Sequence, residues 1–213
     1  MSGQPPSPVE IEFARHHDRE HARICRQAAP RRLRLAFWRD EQLVRNALKA
    51  AGEPGLVLDV TCGAGRFWPV LAEHANRVIL AADPSPDMLD HARTHHGGAL
   101  LERVTTFPSS AFTLGLSANA VDCILCLQLF RHVKASEHRL ALLREFHRVS
   151  RDTVIVSVQI EGRLNIGPAP HRGLADKAEV EAEFRQAGFT QLWYQDFLPG
   201  FALTRIYALC KAG

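Results

Sequence analysis

A strand that leads directly into a glycine-rich turn is the feature that most restricts the fold of this chain. Residues 56–60 are Leu-Val-Leu-Asp-Val, an apolar run typical of a buried strand, and residues 61–65 are Thr-Cys-Gly-Ala-Gly. Strands that are apolar on both sides are typical of parallel sheets covered by helices on both faces. Such sheets bind ligands beyond the carboxyl ends of their strands. We therefore expect residues 61–65 to border a ligand site.

Strand-like and helix-like segments alternate through the rest of the chain. Further strands are predicted at residues 77–83, 100–105, 121–128 and 153–160, and helices at 67–74, 87–95, 136–149 and 176–188. Ser136 and Asp176 are expected to cap helices, and Gly188 to end one. The runs at 191–197 and 202–210 have no helix between them, so we expect an antiparallel hairpin. The pattern predicts an α/β fold with a single Rossmann-like doubly wound sheet, mostly parallel, with an antiparallel C-terminal strand.

The N-terminal quarter of the chain has a different character. Residues 1–9 are rich in Pro, Ser and Gly and are expected to form a disordered tail. Residues 10–51 have a helical pattern, broken near Pro30, and are expected to cap the core formed by residues 52–213. The second helix should bury one face, made up of Leu35, Trp38, Leu43, Ala47 and Leu48. We expect one domain over residues 10–213.

Composition excludes several classes of protein. No apolar run is long enough to cross a bilayer and no signal-peptide layout opens the chain, so a cytoplasmic protein is expected. The first 50 residues carry ten Lys or Arg and six Asp or Glu, a net charge of +4. This excess could attract an anionic substrate, a membrane surface or nucleic acid, but a solvated helix is the favoured interpretation.

Cysteines and histidines give no metal site in the sequence. Cys123 and Cys126 lie in one predicted strand, where a spacing of three directs their side chains to opposite faces, and no second Cys pair completes a zinc site. Histidines four residues apart, at 17 and 21 and at 91 and 95, have no evident third ligand. No metal is expected.

The turn and a downstream carboxylate indicate the kind of ligand. Proteins that bind nicotinamide dinucleotides have the fingerprint G-x-G-x-x-G, in which the third position must be small. Counted from Gly63, that position is Trp68, which is far too large, so a dehydrogenase is disfavoured. Asp83 ends the second predicted strand, 20 residues after Gly63. A carboxylate there can accept both hydroxyl protons of a ribose. Together, the glycine turn and Asp83 predict a ligand that contains a nucleoside.

Four segments together carry a resemblance to a known family. They are V-L-D-V-T-C-G-A-G-R, D-P-S-P-D-M-L-D-H-A, V-D-C-I-L-C-L-Q-L-F-R-H-V and L-L-R-E-F-H-R-V. Over about residues 35–210 the chain resembles small class I S-adenosylmethionine-dependent methyltransferases of the type 11 or ubiquinone-biosynthesis-like group. The resemblance implies that S-adenosyl-L-methionine is the cofactor. The residues that it places around this cofactor are Asp59, Thr61, Cys62, Gly63, Gly65, Asp83, Pro84, Met88, Ser110, Ala111 and Leu127.

Two positions depart from the family pattern. Thr61 occupies the place of the first glycine, and a β-branched residue there is expected to need a negative φ. Ser110 stands where the family usually has an acidic residue for the adenine amino group; its hydroxyl can still accept one hydrogen bond. Both departures keep open a second interpretation, a methyltransferase-like partner subunit without catalysis.

The sequence says less about the methyl acceptor than about the cofactor. His132, just after the fourth strand, is the first candidate for a general base, and His171 the second; the alternative for His132 is a structural role in its loop. Methyl transfer mainly needs alignment of nucleophile, methyl and sulfur. No Asn-Pro-Pro-Tyr-like tetrad follows the fourth strand. A hydroxyl of a small molecule or glycan is therefore the expected acceptor, with an RNA methyltransferase as a third interpretation that predicts salt-sensitive RNA binding.

Overall fold

The computed structural model describes residues 31–160, 176–197 and 204–212 of the chain. Within these residues the strands are β1 Leu56–Val60, β2 Val78–Asp83, β3 Val104–Pro108, β4 Val121–Cys126, β5 Ser150–Val158, β6 Phe189–Asp196 and β7 Arg205–Lys211. The helices are α1 Arg31–Ala50, α2 Trp68–Leu71, α3 Pro86–His95, α4 Gly98–Leu101, α5 Ser136–Val149 and α6 Lys177–Gln186, with a 3-10 turn at Leu129–His132.

The strands form one sheet in the order β3-β2-β1-β4-β5-β7-β6. Strands β1 to β5 pair in parallel, whereas β7 is antiparallel to both β5 and β6. The predicted C-terminal hairpin and its single antiparallel strand are confirmed. Because β1 lies between β2 and β4, its carboxyl end is at the centre of one edge of the sheet.

Helices cover both faces of the sheet, so side chains alternate between two apolar layers. Val57 packs in the layer that contains α1, whereas Leu58 packs with α5 and α6. Cys123 and Cys126 are both fully buried and belong to different layers, as their spacing predicts. Both thiols are free.

The apolar face of α1 is only partly as expected. Leu43, Ala47 and Leu48 are buried against the sheet, but Leu35 and Trp38 are 70% and 57% exposed. At about 100° per residue these two positions lie on the side of α1 roughly opposite the buried positions. The prediction that Leu35 and Trp38 belong to the buried face is therefore wrong.

Two element boundaries differ clearly from the sequence prediction. The predicted strand at 100–105 is a short helix, α4, followed by β3. The predicted helix at 67–74 is the single turn α2. The Arg103 guanidinium donates to the carbonyls of Ala72, His74 and Arg77, which lie between α2 and β2. The chain is thereby fixed just before β3 begins at Val104.

The predicted helix ends are mostly confirmed. The Asp176 side chain accepts from the Glu179 amide at 3.0 Å and caps α6, and Gly188 ends the helix with φ +87°. Ser136 is not a cap: the N-cap is Ala135, and the Ser136 hydroxyl donates to Glu183 Oε1 at 2.5 Å. The buried ion pair of Arg139 with Glu183 then joins α5 to α6.

Some predictions lie outside the described residues: the tail at 1–9, the helical segment at 10–30, and the loop that contains His171. Among the described helices, none combines the length and the apolar character needed to cross a membrane.

Candidate functional site

The residues predicted to bind a cofactor lie at one edge of the sheet, where neighbouring parallel strands end. Asp59 is the next-to-last residue of β1, Asp83 is the last residue of β2, and Ser110 and Leu127 follow β3 and β4. The pairings of Asp59 with Leu125 and of Asp83 with Pro108 place these strand ends side by side. The topology thus brings together residues up to 68 positions apart in sequence.

Asp83 connects the two motifs of the sequence. Its Oδ2 accepts the Gly63 amide proton at 2.8 Å and its Oδ1 accepts the Ser85 amide proton at 3.0 Å, and the side chain is fully buried. The carboxylate therefore holds the glycine turn against β2. Each carboxylate oxygen can accept two hydrogen bonds, so these amide contacts do not by themselves exclude ribose hydroxyls.

The turn after β1 adopts left-handed backbone at three positions. The φ angles are +57° at Thr61, +54° at Gly63 and +71° at Gly65. The expectation of a negative φ at Thr61 is wrong. A β-branched residue in this conformation is strained by about 1–3 kcal/mol. The Thr61 hydroxyl donates to the Val60 carbonyl at 2.6 Å, which offsets part of that strain.

Gly65 is needed for packing as well as for backbone conformation. A Cβ atom at Gly65 would lie 2.5 Å from the indole ring of Trp68, which is fully buried. Trp68 is the residue whose side chain is too large for the third position of a dinucleotide-binding fingerprint. Its ring fills the space beneath the turn, so this turn is shaped by an aromatic side chain from α2.

The amide groups of the turn are used largely within the protein. Cys62 N–H donates to the Ala82 carbonyl at 3.1 Å, Gly63 N–H to Asp83, and Gly65 N–H to the Cys62 carbonyl at 3.0 Å. The helix that follows the turn is short, since α2 is one turn long and begins at Trp68.

Asp59 is a buried carboxyl group of the site with an unusual pKa. It is 3% exposed, and its Oδ2 has no hydrogen-bond partner among the described residues. Burial, followed by the nearby charge of Asp83, raises the pKa of Asp59 to about 8. The Trp68 indole lies close enough to oppose this rise, yet its N–H forms no hydrogen bond of normal geometry with any described residue.

The remaining predicted cofactor residues surround this carboxylate pair. Ala111 and Leu127 are buried, and Pro84, Met88 and Ser110 are half-buried. The Ser110 hydroxyl already accepts the Phe112 amide proton at 3.0 Å. Burial raises the pKa of the Cys62 thiol, which is therefore neutral and unreactive. The sequence analysis did not predict the hydrogen bonds that these residues form within the protein.

A contact between α1 and the turn was missed by the sequence analysis. Arg66 donates to Asp40 at 2.6 Å, and its guanidinium lies 4.2 Å from the centre of the Phe37 ring. Phe37 is thus beside the turn, whereas Trp38 is exposed.

The segment after β4 holds the first candidate base. Gln128 has φ +68°, and its amide donates to Ser157 on β5 at 2.7 Å. Arg131 Nε donates to His132 Nε2 at 2.8 Å, so this nitrogen is a hydrogen-bond acceptor and the imidazole is neutral in this arrangement. Within the described residues no group of His, Cys, Asp and Glu could hold a metal ion.

Comparison with known proteins gives one family and one curated relative. Residues 57–153 match the model of a family described as methyltransferase domain. A protein of Schizosaccharomyces pombe described as uncharacterized methyltransferase-like is 33% identical over 98 residues, which are 46% of this chain and 34% of that protein. The chain thus spans about a third of the length of this relative.

Solved structures share the fold over most of the chain. Magnesium protoporphyrin IX methyltransferase from Synechocystis, crystallised with bound SAH, has a TM-score of 0.75 and 20% identity, and the match covers 97% of this chain and 100% of that one. The same enzyme with bound SAM has a TM-score of 0.73 and 18% identity, covering 99% and 100%. The [4+2]-cyclase SpnF has a TM-score of 0.65 and 17% identity, covering 81% and 80%. At these identities the likeness establishes the fold.

Proposed function

We propose that this chain, whose residues 57–153 match a family described as methyltransferase domain, transfers a methyl group from S-adenosylmethionine to a hydroxyl of a small molecule or glycan. The identification of a class I methyltransferase from the sequence is confirmed by this family match together with the fold. The acceptor and the roles of individual residues are our proposal.

The unpartnered carboxylate oxygen of Asp59 is the observation that carries the choice of cofactor. S-adenosylmethionine has a cationic ammonium group at its methionine end, and an ammonium donates hydrogen bonds without accepting any. Asp59 Oδ2 is a buried acceptor without a partner in the described part of the chain, and Gly63 in the adjacent turn adds no side-chain atoms. The residues present therefore suit the methionine end of the cofactor.

The remaining contacts follow the strand ends. Asp83 would hold the ribose hydroxyls, Pro84 and Met88 would hold the adenine, and Leu127 would contact the sulfonium end of the cofactor. The bound cofactor supplies an electrophilic methyl group. The protein holds the acceptor in line with it, which alone lowers the barrier by restricting the motion of both partners.

His132 takes the proton of the acceptor hydroxyl in this proposal. A base needs a free lone pair, and Nε2 of the neutral imidazole is occupied here by the hydrogen bond from Arg131 Nε, so in this proposal the Arg131 side chain moves away before Nε2 accepts the proton. His171 stays the second candidate. The acceptor must reach the edge formed by β4 and β5, where Gln128 and Ser157 lie.

Proton release on cofactor binding is the direct test. At pH 7 the Asp59 carboxyl, with its pKa of about 8, is mostly protonated, and contact with a cation ionises it. Calorimetry in two buffers of different ionisation enthalpy should show net proton release with S-adenosylmethionine. The Asp59→Asn variant should bind more weakly and release fewer protons. No binding by the wild-type protein would favour the alternative of a partner subunit without catalysis.

A further inference from the structure

A cluster of polar and aromatic side chains lies beside the site, at the same edge of the sheet. Arg205 is the first residue of β7 and pairs with Val158, the last residue of β5, and with Asp196, the last residue of β6. Tyr194 and Tyr207 flank it on β6 and β7. The cofactor contacts proposed above use none of these residues.

Arg205 is buried with one nitrogen unused. The residue is 8% exposed, its Nε and Nη2 donate to the two oxygens of Asp196 at 2.6 and 3.0 Å, and the Tyr194 ring centre lies 4.2 Å from its guanidinium carbon. Its Nη1 is buried without a hydrogen-bond partner among the described residues. The Tyr207 hydroxyl donates to Glu181 at 3.4 Å and lies near the Arg205 guanidinium, yet it forms no hydrogen bond of normal geometry with Nη1. A buried donor without a partner is unfavourable unless a ligand or a water molecule accepts its hydrogen bond.

The charges around Arg205 are balanced. Asp196 neutralises Arg205, and Lys177 lies 3.7 Å from Glu181 at the start of α6. An anionic ligand at Nη1 would come close to Asp196 and would be repelled by it, and a cationic ligand has no proton acceptor to offer. An uncharged oxygen, such as that of a carbonyl, an amide or a hydroxyl, meets neither obstacle. The half-exposed ring of Tyr194 adds a flat surface next to this donor.

The distance from the methyl-transfer position suits a small acceptor. In the sheet order, β7 is two strands from β4, which corresponds to about 10 Å at the usual strand spacing. Val158, the β5 partner of Arg205, follows Ser157, which contacts Gln128 at the end of β4. One small molecule could therefore contact both places.

We propose that Arg205 Nη1 and the Tyr194 ring bind an uncharged polar group of the methyl acceptor, about 10 Å from the atom that is methylated. This inference rests on the proposed function, since it gives the cluster the role of an acceptor subsite. It assigns the acceptor to planar or ring-shaped molecules that carry a neutral oxygen, rather than to acids or amines.

Three nearly isosteric probes test the charge preference: benzamide, benzoate and benzamidine. In NMR titrations of the wild-type protein, benzamide should shift the signals of the Arg205 guanidinium and the Tyr194 amide. Its affinity should be at least about fivefold higher than that of the other two, because only it is both neutral and able to accept. Benzoate binding as tightly as benzamide, or no shift with any probe, would overturn the proposal.

Substitutions test the contributions of the Arg205 donor and the Tyr194 ring separately. Arg205→Lys keeps a cation beside Asp196 but removes Nη1, and should weaken benzamide binding about tenfold. Tyr194→Ala should weaken it severalfold, whereas Leu192→Ala, a change at an exposed residue of the same strand, should not. Unchanged benzamide affinity in both Arg205→Lys and Tyr194→Ala would exclude the subsite.

The same samples distinguish failure of the subsite from failure of the proposed function. Binding of S-adenosylmethionine is measured separately on each protein. Cofactor binding without probe binding contradicts only the subsite. Probe binding at Arg205 without cofactor binding contradicts the methyl-transfer role and leaves Arg205 as a ligand-binding residue of another kind.

Discussion

Asp83 accepts the amide proton of Gly63 at 2.8 Å, and this hydrogen bond joins the two motifs on which the cofactor assignment depends. The residues are 20 positions apart in sequence and come from the ends of adjacent strands. The turn therefore cannot take its shape independently of β2. A change at Asp83 is expected to alter fold stability and cofactor affinity together.

Replacement of Asp83 by Ala tests this coupling. The variant loses two hydrogen bonds to a buried carboxylate, so its free energy of unfolding should fall by about 2–4 kcal/mol. Its affinity for S-adenosylmethionine should fall by a further factor of about 10–100, the scale of hydrogen bonds to a charged group. Urea denaturation and calorimetry measure the two effects. Asp87→Ala, a change at an exposed residue in the first turn of α3, is the matched control and should alter neither.

Thr61→Gly should stabilise the protein without loss of cofactor binding. Glycine adopts φ +57° freely, whereas threonine is strained there, and the greater entropy of glycine in the unfolded chain offsets part of the gain. We expect a net gain of about 0.5–1 kcal/mol in thermal or urea unfolding. Thr105→Gly, in the middle of β3, should be destabilising instead. A destabilised Thr61→Gly protein would show that the Thr61 hydroxyl matters more than its backbone strain.

Gly65→Ala should damage the fold as well as the site. The new Cβ would lie 2.5 Å from the Trp68 ring, at a φ of +71° that alanine rarely adopts. We expect a loss of more than about 2 kcal/mol in the free energy of unfolding, together with loss of cofactor binding. Gly97→Ala has open space around the added carbon and serves as the control. A Gly65→Ala protein of normal stability would place the Trp68 ring elsewhere.

Much of this architecture could be predicted from the sequence because it depends on local patterns. The apolar runs locate the strands, and the missing helix between β6 and β7 indicates the hairpin. The site neighbourhood follows, since strand ends at one edge must come together. The resemblance to methyltransferases then supplies the ligand.

The missed features depend on contacts between distant segments. The amide bonds that hold Asp83 and the bonds of Arg103 to carbonyls before β2 have no sequence pattern. Arg205 looked like an ordinary strand residue, because its burial results from pairing with β5 and β6. Thr61 broke a rule of backbone preference, and such exceptions concentrate where a fold constrains a functional turn.

Stability should fall with rising pH because of Asp59. Its pKa in the folded protein is about 8, above the ordinary 3.8 of the unfolded chain, so the folded state holds more protons between these values. The associated stability is present below about pH 4 and is lost as the pH rises towards 8. In Asp59→Asn this contribution is absent, so its unfolding free energy should change less between pH 5 and 8. Equal pH slopes for both proteins in urea denaturation would contradict the raised pKa.

The final prediction separates catalysis from binding at His132. His132→Ala should leave the affinity for S-adenosylmethionine within about twofold, because His132 is not among the proposed cofactor contacts, the last of which in the chain is Leu127. If His132 takes the acceptor proton, turnover should fall about 10²–10⁴-fold near neutral pH. This deficit should shrink as the pH rises and the acceptor hydroxyl loses its proton without help. Arg131→Ala is the companion variant: it removes the hydrogen bond to His132 Nε2 but keeps the imidazole, so activity should fall less than in His132→Ala. Assays of both variants against a panel of small hydroxylated acceptors, with melting temperatures recorded in parallel, measure these effects. A deficit that does not vary with pH, together with a lower melting temperature, would show that His132 only braces the loop before α5.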